Sequence, residues 1–279
     1  MKKHPLCILV RKLYAMLFTF LLFACLYGCQ EPIAAPTPNY ATIEAIPIPK
    51  GYTRLADHAF AKWLLQVQLK KDRTVYLYNG EKKEDQASQY AVLNIPIGKE
   101  DLQQCADAVI RLRAEYLYNK QDVERIAFHA TDGTLIAYTA WLKGQSFQLK
   151  HNKLVATKVA ARPDTRETFE KYLRFVFMYA GTHSLAKELK PVNIQQIQPG
   201  DVFVQGSFPG HAMIVMSVAQ NPRGEKIYML AQGYTPAQSI HVVRNRIGGI
   251  EQPWYKAEEF GTVITPGWTF LQKHLMRFQ

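Results

Sequence analysis

Three side chains in this 279-residue sequence, Cys105, His211 and Gln232, have the types and the chain order for one kind of chemistry. A thiol becomes a nucleophile when a base removes its proton, and the base needs a third polar group to fix its ring and tautomer. In such a set Cys105 attacks a carbonyl carbon, His211 acts as base and then as acid, and Gln232 orients His211. The reaction class is hydrolysis of an amide. Of the four cysteines, Cys7 and Cys25 fall in an apolar leader and Cys29 stands at its end, which leaves Cys105 as the one unmodified thiol of the mature chain. A lone thiol in an oxidising compartment is either a small buried hydrophobe or is kept for its reactivity, and both readings stand at this point.

Other chemistry finds less support. The eight histidines show no His-x-His or His-Glu-x-x-His spacing, and a single mature thiol excludes a multi-cysteine zinc site, so neither a metal nor a cofactor is expected. Gln103 and Gln104 are candidate donors to an oxyanion beside Cys105. Tyr234, Trp254, Tyr255 and Trp268 make the C-terminal part aromatic and are candidates for the floor of a carbohydrate groove.

The elements that must position these residues follow from periodicity. Residues 57–66 pattern as a short amphipathic helix with Phe60, Trp63 and Leu64 inward. Residues 74–78 and 90–97 pattern as strands, and Gly98 stops the second. The spacing of Leu102, Cys105, Val109, Leu112 and Tyr116 predicts a helix over 99–119, with Arg111 and Glu115 paired along it and Cys105 two turns in. Thr131-Asp132-Gly133-Thr134 marks a hairpin within 126–138, and a second long helix is predicted from Thr165 to about Ala180. Strands follow at 202–205, 211–218, 226–232 and 239–243, with a turn at 221–224. Helices first and an antiparallel sheet afterwards give an α+β fold.

Hairpin register links His211 to Gln232. Facing residues of a hairpin have a constant index sum, and this pair sums to 443. A turn centred between Asn221 and Pro222 sets them opposite each other; one centred between Pro222 and Arg223 makes them diagonal neighbours on one face. A bulge or a one-residue slip is expected to separate them onto opposite faces.

At the N-terminus, Lys2, Lys3, Arg11 and Lys12 precede an apolar run of 16 residues, 13–28, shorter than the roughly 20 that span a bilayer. Residues 1–28 therefore read as a signal peptide, with a retained anchor as the alternative. Residues 29–49, rich in proline, read as an extended tether, and 50–279 as a single α+β domain. Removing 1–28 lowers the formal charge from +11 to +7, with 30 basic residues against 23 acidic. The basic residues are scattered and no Lys/Arg-rich run occurs, so nucleic acid is not an expected partner.

Three resemblances add to this reading. Leu26-Tyr27-Gly28-Cys29 resembles the lipobox of bacterial lipoproteins, which implies lipid attachment at Cys29 and a bilayer as partner. Gly200-Asp201-Val202-Phe203, followed by Gly210-His211-Ala212-Met213-Ile214-Val215, is similar to the corresponding segment of papain-like hydrolases of the NlpC kind. That likeness implies a papain-like arrangement of N-terminal helices on a C-terminal antiparallel sheet, and catalytic roles for Cys105, His211 and Gln232. Over its length the mature chain resembles the bacterial family known as domain of unknown function 4846. The matching segments run from Asp101 to Val109, from Arg111 to Leu117, from Tyr179 to Thr182, from Lys187 to Lys190, from Gly200 to His211 and from Leu230 to Gln238. The family implies an exported protein of Gram-negative bacteria.

Two functions are thus expected: a lipid-anchored envelope protein that hydrolyses amide bonds, with peptidoglycan peptides as the candidate substrate, or a non-catalytic envelope-binding module of the same fold.

Overall fold

The computed structural model describes residues 39–259 and 261–279. The expected leader, the expected lipid-attachment position Cys29 and the first part of the proline-rich segment lie outside the described residues. The described chain runs β1 (Thr53–Leu55), α1 (Ala59–Leu65), β2 (Gln89–Val92), α2 (Cys105–Asn119), the hairpin β3 (Ala127–His129) and β4 (Leu135–Ala137), and α3 (Tyr138–Leu142). A second hairpin, β5 (Gln145–Lys150) and β6 (Lys153–Lys158), precedes α4 (Arg166–Tyr179), α5 (Thr182–Glu188) and β7 (Lys190–Pro191). The remainder is mostly strands: β8 (Val202–Gln205), β9 (His211–Gln220), β10 (Lys226–Gln232), β11 (His241–Val243), β12 (Tyr255–Lys256), β13 (Thr262–Thr265), β14 (Trp268–Leu271) and β15 (Leu275–Arg277).

The fold is α+β. Its main sheet is antiparallel in the order β2-β11-β10-β9-β8-β15-β7, with β1 added along the far half of β9 and β12 along the near half of β10. The sheet is not wholly C-terminal, because β1 and β2 come from before the first long helix. The core strand β9 is apolar on both faces, as a strand covered on both sides must be. Ala212, Ile214 and Met216 pack in one cluster with Val109 and Leu112 of α2 and Phe169 of α4. Met213 and Val215 pack in the other with Ile194, Phe270 and Leu275. Helices thus cover one face and the β13–β14 hairpin with residues 194–197 the other.

Two expectations are corrected here. Residues 74–78 form no strand. They make isolated bridges, Tyr76 with Lys82 and Leu77 with Gln238, because their backbone bonds are divided between residues 81–83 and the 237–239 loop. The proline-rich segment is not free up to residue 49. Ile43 and Ile46 are fully buried, Ile43 N–H donates to Val67 O at 3.2 Å, and Trp254 Nε1 donates to Pro47 O at 2.9 Å. The compact unit is Tyr40–Gln279. Among the described residues no helix is long and apolar enough to cross a membrane.

Candidate active site

Cys105 is the first residue of its helix, not two turns into it. The six residues before it are drawn out of helical conformation by bonds to the 233–237 loop. Asp101 Oδ1 accepts from the Ala237 N–H at 2.6 Å and from Gln104 Nε2 at 3.0 Å, while Gln104 Oε1 accepts from Thr235 Oγ1 at 3.0 Å. Gln104 is the N-cap in extended backbone, and its N–H donates to Asp107 Oδ2, three residues on, at 3.0 Å. The thiol therefore stands where the first N–H groups have no intrahelical acceptor and the positive end of the helix dipole lies.

The sulfur also faces the main chain of β9. Val215 N–H donates to Asp201 O and Val215 O accepts from Gly200 N–H, both at 2.8 Å, so the odd-numbered residues here bond toward β8. By alternation the Ala212 N–H points toward β10, and the β9–β10 ladder ends at Ile214–Ala231. Beyond that pair the strands fork, and the amide left open faces Cys105. Gly233 makes the close approach possible: a Cβ there would lie 2.6 Å from Gln104 O and 3.2 Å from the Ala108 Cβ.

His211, the first residue of β9, and Gln232, the last of β10, are hydrogen-bonded, Nε2 to Oε1 at 2.7 Å. Both are 2% exposed. Gln232 pairs directly across β11 with His241, and its Nε2 lies 3.3 Å from His241 Nε2. His241 Nδ1 lies 2.9 Å from Ser239 O. The His211 ring is walled by Tyr234, Trp268 and Phe270, with ring centroids at 5.0, 5.3 and 5.9 Å. On the other flank, the loop from Gly206 to Gly210 carries Phe208, 83% exposed, above α5. Gly210 sits so close that a Cβ would fall 2.3 Å from Thr182 Oγ1.

Electrostatics at the site are set by burial. Burial pushes the Cys105 thiol up to about 11, with the Asp107 carboxyl acting in the same direction and the N–H groups of Ala212, Ala106 and Cys105 opposing. Burial lowers His211 to about 4, against its hydrogen bond to Gln232, which raises it. Burial also raises Asp107 to about 8, so its carboxyl is protonated at neutral pH and carries little charge toward the thiol there. Cys105 nevertheless keeps partial solvent exposure, unlike a sealed core thiol.

The structure brings Cys105, His211 and Gln232 to one end of the sheet. Thiol and imidazole are not hydrogen-bonded to each other among the described residues, and neither is among the groups that shift the other. Gln103 is turned away: it is 1% exposed and its Oε1 accepts from Arg111 Nη1 at 3.3 Å. Gln104 is tied to Asp101 and Thr235, which leaves main-chain N–H groups as the free donors nearest Cys105. Of the four aromatic residues read as a groove, Trp254 and Tyr255 are core residues, and only Tyr234 and Trp268 reach the site. His241 escaped the sequence reading. Its signal was its place opposite Gln232, hidden by an eight-residue connection, 233–240, that fixes no register.

Among the described residues no group of three or more His, Cys, Asp or Glu side chains is placed to hold a metal ion. Four surface cavities of about 190–320 Å³ have linings that include none of the site residues.

The family model described as domain of unknown function (4846) matches residues 43–277. No curated protein and no solved structure matches the chain.

Proposed function

The chain belongs to the domain of unknown function (4846) family, and from the geometry of Cys105, His211 and Gln232 we propose that it is a cysteine-dependent amide hydrolase with a papain-like, NlpC-type arrangement. In this reading residues 1–28 are removed, Cys29 is lipidated, and the enzyme faces the periplasm or the cell exterior, where peptidoglycan peptides are its substrate. The observation that carries it is a partly exposed thiol on the first turn of a helix, beside the strand whose first residue is a histidine hydrogen-bonded to a glutamine.

With the thiol raised and the imidazole lowered, both groups are neutral at pH 7. The proton therefore leaves Cys105 as the carbon–sulfur bond forms, passing to His211, rather than before substrate arrives. The tetrahedral oxyanion is held by main-chain N–H groups at the start of α2. Collapse breaks the carbon–nitrogen bond, and His211 returns the proton to the leaving amine. His211 then takes a proton from water, the hydroxide adds to the thioester, and the acid departs as the proton goes back to sulfur. Gln232 holds the imidazole in place throughout.

The test uses the full chain. Iodoacetamide is expected to label Cys105 in the folded protein, at a rate at least about tenfold lower in His211→Ala. Peptidoglycan stem peptides are expected to be cleaved by the parent and not by Cys105→Ala. A thiol that reacts only on unfolding, with no cleavage, overturns the proposal.

The upward shift of the thiol favours a second reading, a non-catalytic envelope-binding module that uses the exposed edges of Tyr234, Trp268 and Phe208. It predicts peptidoglycan binding that Cys105→Ala leaves intact.

A further inference from the structure

Beyond the three residues of the proposed site lies a fourth side chain, His241, with 0% exposure and no part in the chemistry described above. It is the end of a continuous line of polar atoms. Ser239 O lies 2.9 Å from His241 Nδ1, His241 Nε2 lies 3.3 Å from Gln232 Nε2, and Gln232 Oε1 lies 2.7 Å from His211 Nε2.

The polarity of this line is fixed from one end. A main-chain carbonyl can only accept, so His241 Nδ1 must carry the hydrogen that points to Ser239 O. Burial keeps the His241 ring neutral, and the Lys83 ammonium acts in the same sense. A neutral ring with hydrogen on Nδ1 has a lone pair on Nε2, and only an N–H donor satisfies it. The nitrogen of the Gln232 amide must then face His241, which turns its oxygen toward His211. A carbonyl oxygen facing His211 Nε2 requires the hydrogen to be on that nitrogen. The free lone pair of His211 is left on Nδ1.

We propose that His241 is a positioning residue: it fixes the orientation of the Gln232 amide and thereby holds His211 in the tautomer that keeps Nδ1 as the base for the Cys105 proton. The inference rests on the hydrolase reading for its purpose, but its structural content is separate. Gln232 without His241 can rotate its amide by half a turn and donate to His211 Nε2, which would force the hydrogen onto Nδ1 and remove the base. The β10–β11 register, with Gln232 directly opposite His241, is what brings the two rings to opposite ends of one amide.

The experiment is long-range ¹H–¹⁵N correlation of the full chain labelled at histidine nitrogens, near pH 7, with His211→Asn and His241→Asn spectra to assign the two rings. The parent protein is expected to show His211 with hydrogen on Nε2 and His241 with hydrogen on Nδ1. Either ring in the opposite tautomer overturns the proposal without reference to any variant. In His241→Leu, which offers no acceptor, His211 is expected to become a mixture of tautomers or to switch to Nδ1–H. In His241→Gln, whose side-chain oxygen can accept from Gln232, the parental tautomer is expected to return. An unchanged His211 tautomer in folded His241→Leu would also overturn it. Alkylation of Cys105, run beside the spectra, is expected to slow about tenfold in His241→Leu and to recover in His241→Gln. If Cys105 is inert in the parent while the tautomers behave as described, the hydrolase reading falls and the positioning role stands.

Discussion

His211 and Gln232 share a face of the sheet because Met216 is one residue too many for its strand. From the turn, β9 and β10 pair in register from Lys226–Gln220 to Met229–Ser217, then resume at Leu230–Val215, leaving Met216 unpaired. Continuing the first register would set Gln232 opposite Ile214, on the helix-covered face that His211 does not share. The bulge resets it opposite Met213, two residues from His211 and on the same side. Deletion of Met216 is therefore expected to make β9 regular, to preserve the hydrogen bond of His211 and Gln232, and to cost about 2–5 kcal/mol through lost packing. Insertion of an alanine between Ala212 and Met213 is expected to swing His211 to the helix face. Histidine NMR and urea unfolding of both variants check this; loss of the His211–Gln232 bond in the Met216 deletion would count against it.

Asp107 opposes the thiolate only when it is ionised. Burial holds its carboxyl protonated up to about pH 8, whereas in the unfolded chain it ionises near 4. The native state thus keeps a proton that the unfolded state has lost, and stability falls as pH rises between about 4 and 8. Asp107→Asn keeps an acceptor for the Gln104 N–H and removes this titration. The variant is expected to gain stability over the parent progressively across that window, and Cys105 in it is expected to alkylate faster above pH 8. Parallel unfolding curves at all pH values would sink the assignment.

The sequence carried the elements well and the site's fine placement less well. The helix of Arg166–Tyr179, capped by Thr165, and the strands around His211 and Gln232 were legible because one buried face imposes its period on the chain. The start of α2 was not, because it depends on Asp101 and Gln104 bonding to a loop more than a hundred residues away, and no local pattern reports that. Gln104 is an unusual N-cap, and the one local clue was an acidic Asp107 at the third helical position. The face shared by His211 and Gln232 was expected from a different turn centre, with a bulge counted against it. The bulge was instead the means.

Burial of His211 and His241 makes folding sensitive to mild acid. Both imidazoles are lowered to about 4 by burial, against about 6.5 in an unfolded chain. Between those values the unfolded chain binds protons that the native state does not, so their contribution is fully present above pH 6.5 and is lost as pH falls toward 4. The ceiling is on the order of 3 kcal/mol per imidazole. Urea unfolding of the parent and of His241→Gln at pH 7.5, 6.5, 5.5 and 4.5 is expected to show a gap that narrows with acid. A constant gap would mean that His241 titrates normally when folded.

The segment from Tyr40 to Pro49 is part of the domain, and its removal is expected to cost stability rather than merely shorten the N-terminal segment. Ile43 and Ile46 are fully buried, and full burial of an aliphatic side chain contributes roughly 1.5–3 kcal/mol. The same stretch supplies Pro47 O to the buried Trp254 indole, and the Arg54 guanidinium donates to Glu44 O and Ile46 O. The reference is a chain beginning at residue 40. A chain beginning at residue 50 should lose several kcal/mol and, with Trp254 left without its acceptor, show a red-shifted tryptophan emission before global unfolding. Equal stability of the chains beginning at 40 and 50 would return residues 40–49 to the role of a free tether.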